Sequence, residues 1–191
     1  MTLTVATGPA SEPLTDDEAI YHLKSQGITL DSDETAELQS LVKAARTMAE
    51  NYTRRKFITQ TMVAYTDDWN SHLTLGVGPV NAIASVKYLD EAGVEQTLAT
   101  TEYKTDIISA NPRIYLHGTL PDLQGNAYNR VRVYFTAGYG IASTVPEDIK
   151  SAIKLILGHL WENRQDVIVG SQVNKIPKAS EYLLFPYVIW V

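Results

Sequence analysis

Cysteine is absent from this chain, which excludes disulfides, thiolate metal sites and a cysteine nucleophile. Long apolar runs are missing too. None approaches the roughly 18–20 residues that span a bilayer, so no membrane partner is expected. The stretch MTLTVATGPASEP at 1–13 has neither the basic start nor the apolar centre of a signal peptide, and synthesis as a soluble cytoplasmic protein is the expectation. Basic charge is in deficit, with 16 Lys and Arg against 22 Asp and Glu for a net charge of −6. A protein that grips DNA by its phosphates carries a basic surface. A dedicated nucleic-acid binder is therefore disfavoured, whereas a channel past which DNA slides is not.

The motifs of common catalytic machinery are also lacking. FTAGYG at 135–140 ends a strand in glycines, as phosphate-binding loops do. However, IASTV separates Gly140 from the next helix, and no Lys-Ser or Lys-Thr pair follows. The glycines read as a sharp turn out of a strand. His22, His72, His117 and His159 show no metal-ligand spacing, and HLWEN at 159–163 is not the HExxH of a zinc hydrolase. Asp67 and Asp68 offer two carboxylates to a cation, yet before Trp69 at a strand end they read first as a solvated turn. No GxSxG nucleophile elbow is present. No enzyme, cofactor or metal site is expected. A small metal-dependent hydrolase using His159, Glu162 or Asp67 and Asp68 is the competing reading, testable by metal analysis.

What the chain does contain is an ordered series of amphipathic segments. Thr15 with Glu18 three residues on forms a capping box for a helix over 14–27 that Gly27 stops. A long helix is expected over 32–56, because Leu38, Leu41, Val42, Ala45, Ala49 and Tyr52 make one apolar stripe. Asp31, Ser32 and Asp33 suit its positive end, and Arg54, Arg55 and Lys56 its negative end. From about 58 the period becomes alternating. Five or six short strands follow in one small, mostly antiparallel sheet, with Asp90–Gly93 as a hairpin turn. In VRVYFTA, Val131, Val133 and Phe135 face one way and Arg132, Tyr134 and Thr136 the other. Helical period returns over 145–165, with Pro146 in the first turn and Ile149, Ile153, Ile156, Leu157, Leu160 and Trp161 on the apolar face.

The fold class expected is α+β: a helical body of about three main helices with a small antiparallel β module inserted between the second and third. Its segments are a flexible arm at 1–12, the first helical part at 13–57, the β module at 58–140, the last helix at 141–165 and an apolar tail at 166–191. YLLFPYVIWV at 182–191 is almost wholly apolar. It either packs on its own body or inserts into a partner.

The order of these segments resembles the head–tail connector (adaptor) proteins of long-tailed bacteriophages and gene-transfer agents. The stretches that carry the resemblance are EPLTDDEAIYHLK at 12–24, LVKAARTMAENYTRRKFITQTM at 41–62 and GPVNAIASVKYLDEAGVEQTL at 78–98, then VRVYFTAGYG at 131–140 and VPEDIKSAIKLILGHLWENRQ at 145–165. They cover about four-fifths of the chain in the family's order. The resemblance implies a structural virion protein without catalytic residues, assembled as a ring, usually twelvefold, beneath the portal protein. Such a ring extends the DNA channel, lets DNA pass without specific binding, and docks a stopper or tail-completion protein. It also implies a place in the virion neck after assembly in the host bacterial cytoplasm. A stopper or other head-completion protein is the alternative. Leu41, Tyr52 and Trp161 are then expected in the interface seam between helices. Phe185, Tyr187 and Trp190 are expected to anchor the tail on the portal or a neighbouring subunit.

Overall fold

Strand-forming threonines and valines, and helix-forming runs with acidic first turns, sort this chain into two kinds of structure. The computed structural model describes residues 1–23, 30–163 and 178–190, and in them the fold is α+β. The chain divides into two units. One, β-rich, holds Met1–Ala10, Arg54–Tyr139 and Ile189–Val191; the other, helical, holds Ser11–Thr53 and Gly140–Val188.

In the β-rich unit, strands β1 (Thr2–Thr7), β2 (Gln60–Thr66), β8 (Val131–Ala137), β4 (Val80–Leu89) and β5 (Glu95–Thr97) form a five-stranded sheet in that order. Every neighbouring pair is antiparallel. A second antiparallel sheet orders β3 (His72–Thr74), β7 (Arg113–Leu116) and β6 (Tyr103–Asp106). The single sheet expected from sequence is thus two. Alternation marks strands but does not say which of them pair. Val131, Val133 and Phe135 are fully buried with Met62, Leu73, Val86 and Ile114 in one core, whereas Arg132, Tyr134 and Thr136 are half-buried, as the alternation predicts.

The stretch 1–12, expected as a flexible arm, instead supplies β1, paired with β2 from Thr2↔Tyr65 to Thr7↔Thr61. Its β-branched Thr2, Thr4, Val5 and Thr7 suit a pleated edge, and Gly8 and Pro9 follow where the strand stops. At the Asp90–Gly93 turn, the Gly93 N–H donates to Asp90 O at 2.7 Å, and Asp90 Oδ1 accepts from the N–H groups of Ala92 and Val94.

The glycine turn after β8 is a close-packing device. Gly138 has φ of +139°, and a Cβ there would stand 2.6 Å from the Ile58 carbonyl carbon and oxygen and from Thr59 Cα. Only glycine fits such an approach.

In the helical unit, α1 (Asp16–His22) carries the capping box read from sequence. The Thr15 N–H donates to Glu18 Oε2 at 2.9 Å, and the Thr15 hydroxyl accepts from the Glu18 N–H at 3.2 Å. Helix α2 (Ser32–Thr53) is capped by Asp31, whose Oδ1 accepts from the N–H groups of Asp33 and Glu34 at 2.9 and 2.8 Å. It stops three residues short of expectation. Arg54 takes φ of 55°, and the Lys56 N–H donates to Gly78 O at 2.8 Å. The basic triplet therefore continues into the β-rich unit instead of filling the last helical turn.

Helix α3 (Glu147–Glu162) starts with Pro146 as its N-cap, one position earlier than a first-turn proline. Ile149, Ile153, Ile156 and Leu157 are buried, while Leu160 and Trp161 are half-buried. Part of the apolar tail forms α4 (Lys178–Leu184) and a 3-10 turn over Phe185–Tyr187. Helix α3 packs on α2 and α4, and α1 packs on α2 and α3. Gly27, Arg164, residues 166–177 and Val191 lie outside the described residues.

Candidate interaction surfaces

Of the residues weighed as catalytic, Asp67 and Asp68 have structural tasks. Asp67 Oδ1 accepts from the Asn129 N–H at 2.6 Å, Asp67 O accepts from Arg130 Nε at 2.7 Å, and Asp68 pairs with Arg130. Both aspartates thus hold the turn that enters β8. Asn163, at the C-cap of α3, donates its side-chain N–H to the His159 carbonyl at 2.9 Å. His72, Tyr115 and His117 lie side by side on β7 and its neighbours, with ring centroids 5.0 and 6.0 Å apart. Among the described residues no three His, Asp or Glu side chains gather as metal ligands, and no described helix is long and apolar enough to cross a membrane.

Of the residues expected at interfaces, Leu41 and Tyr52 on α2 and Trp161 on α3 are half-buried. In the tail, Leu184 and Ile189 are buried, while Phe185 is 56% and Trp190 73% exposed. The half-buried Tyr187 donates its hydroxyl to Asp148 Oδ2 at 3.4 Å. Phe185 and Tyr187 share one turn of the helical unit, whereas Trp190 belongs to the β-rich unit. The structure thus tucks two aliphatic tail side chains inward and turns two aromatic ones toward solvent.

Sequence reasoning missed a buried charge cluster. Arg46 Nε donates to Glu12 Oε2 at 2.6 Å and Arg46 Nη1 to Glu50 Oε2 at 3.2 Å, with the Arg46 and Glu50 side chains only 6% and 2% exposed. Burial acts to lower the Arg46 pKa, but hydrogen bonds and charge from Glu12 and Glu50 outweigh it and hold the guanidinium above its ordinary value. The i,i+4 spacing of Arg46 and Glu50 is a signal in the sequence. Glu12, 34 residues upstream, gives none.

The five-stranded sheet presents an ordered polar face. Cross-strand pairing sets Thr2, Tyr65, Arg132, Lys87 and Thr97 in one row. Glu95 binds both cations of that row, at 2.8 Å to Lys87 Nζ and 2.6 Å to Arg132 Nη1. The hydrogen bond from Lys87 is the main cause that holds the Glu95 carboxyl below its usual range, and the same bond raises Lys87. Lys87 Nζ also sits 5.2 Å from the centroid of the Tyr134 ring. Residues 95–97 at one edge of this sheet, and Thr2 and 4–7 at the other, are exposed.

No protein-family model and no curated protein matches the sequence. Among solved structures, the chain is similar to one in the neck of an empty gene transfer agent particle computed with C6 symmetry. Identity is 28%, coverage 100% of this chain and 97% of that one, and the TM-score 0.81. It is similar at 27% identity, the same coverage and a TM-score of 0.78 to a chain of the virion of the native gene transfer agent particle. A chain of the native particle's neck, computed with C12 symmetry, shares the fold at 24% identity and a TM-score of 0.72. The likeness thus spans this chain from end to end and nearly all of the neck and virion chains it matches.

Proposed function

We propose that this chain is a structural protein of the neck of a phage-like particle, a head–tail adaptor that works by shape and contact. The observation that carries this reading is the full-length likeness, at a TM-score of 0.81 and 28% identity, to a chain of a gene-transfer-agent neck. Copies form a ring beneath the portal, continue the DNA channel, and present a surface to a stopper or tail-completion protein. DNA crosses the ring without specific binding, and the net charge of −6 is suited to passage because it does not hold phosphates. Leu41, Tyr52 and Trp161 belong to the helical seam of each wedge. Phe185 and Trp190, both exposed, and Tyr187 anchor the tail on the portal or a neighbouring copy, since aromatic side chains that fill pockets carry much of an interface's affinity.

Native mass, measured for the protein alone and with the portal ring of its own particle, tests the reading. The expected result is binding to the portal in the portal's own symmetry. Absence of any association would overturn the adaptor role and favour a stopper. For the anchor, Phe185→Ala with Trp190→Ala should weaken portal binding while leaving the thermal midpoint near wild type. Unchanged binding would remove these residues from the interface.

A further inference from the structure

We propose that Arg54, Ile108 and Trp190 form one docking surface on the β-rich unit, fitted to an apolar pocket with a carboxylate at its rim. This rests on the neck reading above, in which that pocket belongs to the portal protein that receives the tail.

Three segments far apart in sequence converge on Gly78. The Arg54 carbonyl accepts from the Gly78 N–H at 3.3 Å. A Cβ at Gly78 would lie 3.2 Å from Ile189 Cδ1 and 3.8 Å from both Ala110 O and Pro112 Cδ. Arg54, Ile108 and Trp190 thus extend from segments packed about one glycine, all within the β-rich unit. Arg54 is exposed, as are Ile108 at 97% and Trp190 at 73%.

Arg54 follows the last residue of α2 with φ of 55°, a left-handed position that glycine or asparagine usually fills. A side chain with a Cβ is disfavoured there. Within the chain its guanidinium returns nothing, because no described residue pairs with it. A partner outside the chain accounts for an arginine held at such a position. Ile108 is presented by a loop that is already ordered. Asp106 accepts from the Ser109 N–H at 3.1 Å and hydroxyl at 2.6 Å, Asn111 Oδ1 from the Gly76 N–H at 3.3 Å, and Pro112 O from the Leu75 N–H at 2.9 Å. Little ordering is left to lose on docking.

The chemistry of the surface names its complement. No charged side chain lies in 107–112 or 185–191, and Asp106 is engaged by Ser109 and Arg113. Positive charge therefore stands beside an aliphatic and an aromatic group, and arginine and tryptophan are the side chains most often dominant at protein interfaces. Electrostatic complementarity asks for a carboxylate opposite Arg54. Duplex DNA would meet the cation but offers no pocket to Ile108 and Trp190.

Binding of the full chain to the portal ring, followed with the thermal midpoint, tests this. Arg54→Gly removes the cation and suits the backbone. It should weaken binding by about tenfold or more while the midpoint stays at or above wild type. An arginine with only a structural task would lower the midpoint and leave binding unchanged. Ile108→Asp, at a side chain that is almost wholly exposed, should weaken binding by a similar factor in a folded protein. Wild-type binding by both variants, with Trp190→Ala still impaired, would overturn the shared surface and leave the tail anchor and the neck reading standing. No binding by the unaltered chain would overturn both. Loss of duplex DNA binding in Arg54→Gly, with portal binding intact, would overturn the carboxylate-rimmed pocket.

Discussion

The β-rich and helical units differ most plainly in charge. Between Met1–Ala10, Arg54–Tyr139 and Ile189–Val191 lie eight basic and eight acidic residues, so that unit is neutral. The helical unit has eight basic and fourteen acidic residues and carries the whole net charge of −6. Helix physics accounts for eight of those acids, because Asp16, Asp17, Glu18, Asp33, Glu34, Glu147, Asp148 and Glu181 occupy first turns, where the helix dipole favours anions. The β-rich unit has no α-helix among its described residues and answers acids with local cations, as in Lys87–Glu95–Arg132 and Arg113–Asp106. Acidity here is a by-product of how each unit is built.

The comparison can be broken at its deepest charge. Arg46→Met leaves Glu50 buried without its guanidinium, and such losses cost about 3–5 kcal/mol, read as a lower urea midpoint. Arg113→Ala, in the exposed pair with Asp106 of the β-rich unit, should leave the urea midpoint close to wild type, because solvent screens such pairs. Equal effects would show that Arg46 is less enclosed than its 5% exposure indicates.

Glycine sharpens the contrast. Gly138→Ala in the β-rich unit meets backbone at 2.6 Å at a positive φ and should destabilise by about 1–3 kcal/mol. Gly158→Ala in α3 meets only His22 Nε2, at 3.7 Å, and should stabilise by about 0.5–1 kcal/mol, the helix preference of alanine. Thermal midpoints moving in opposite directions are the expected signature.

Acid gives the smallest effect. Hydrogen bonds hold Asp90 (from Gln96), Asp106 (from Ser109) and Glu95 (from Lys87) below the ordinary carboxylate range, all in the β-rich unit. In the helical unit Glu18 is lowered, first by the Thr15 N–H. A depressed carboxyl contributes stability above its unfolded pKa of about 4. That contribution is lost as pH falls through the lower folded value. Hydrogen exchange from pH 5 to pH 2.5 should therefore show the 90–97 hairpin losing protection along with the start of α1. Protection unchanged in both would show that these bonds contribute nothing to stability.

Local chemistry made the helices legible. Thr15 and Glu18, Asp31, and the Leu38–Ala49 stripe act within a few residues of themselves, so spacing alone declared them. The acidic balance, the lack of catalytic motifs and the segment order that points to a neck protein were likewise in the sequence. Short alternating runs were different. Val131, Val133 and Phe135 announced a strand and its buried face, but nothing in them says that β8 lies between β2 and β4, or that β3, β6 and β7 form a separate sheet.

Tertiary structure alone decided the long-range matters. It turned Thr2–Thr7 from an apparent arm into an edge strand, because β1 acquires its hydrogen bonds only from β2, more than fifty residues away. It brought Glu12 to Arg46, and it turned Phe185 and Trp190 outward while Leu184 and Ile189 went in. For α1, α2, α3 and β8 the sequence by itself determined what the segment is, because caps and periodicity are local. Which segments meet, and which edges stay open, depended on burial and backbone pairing between residues far apart in the chain.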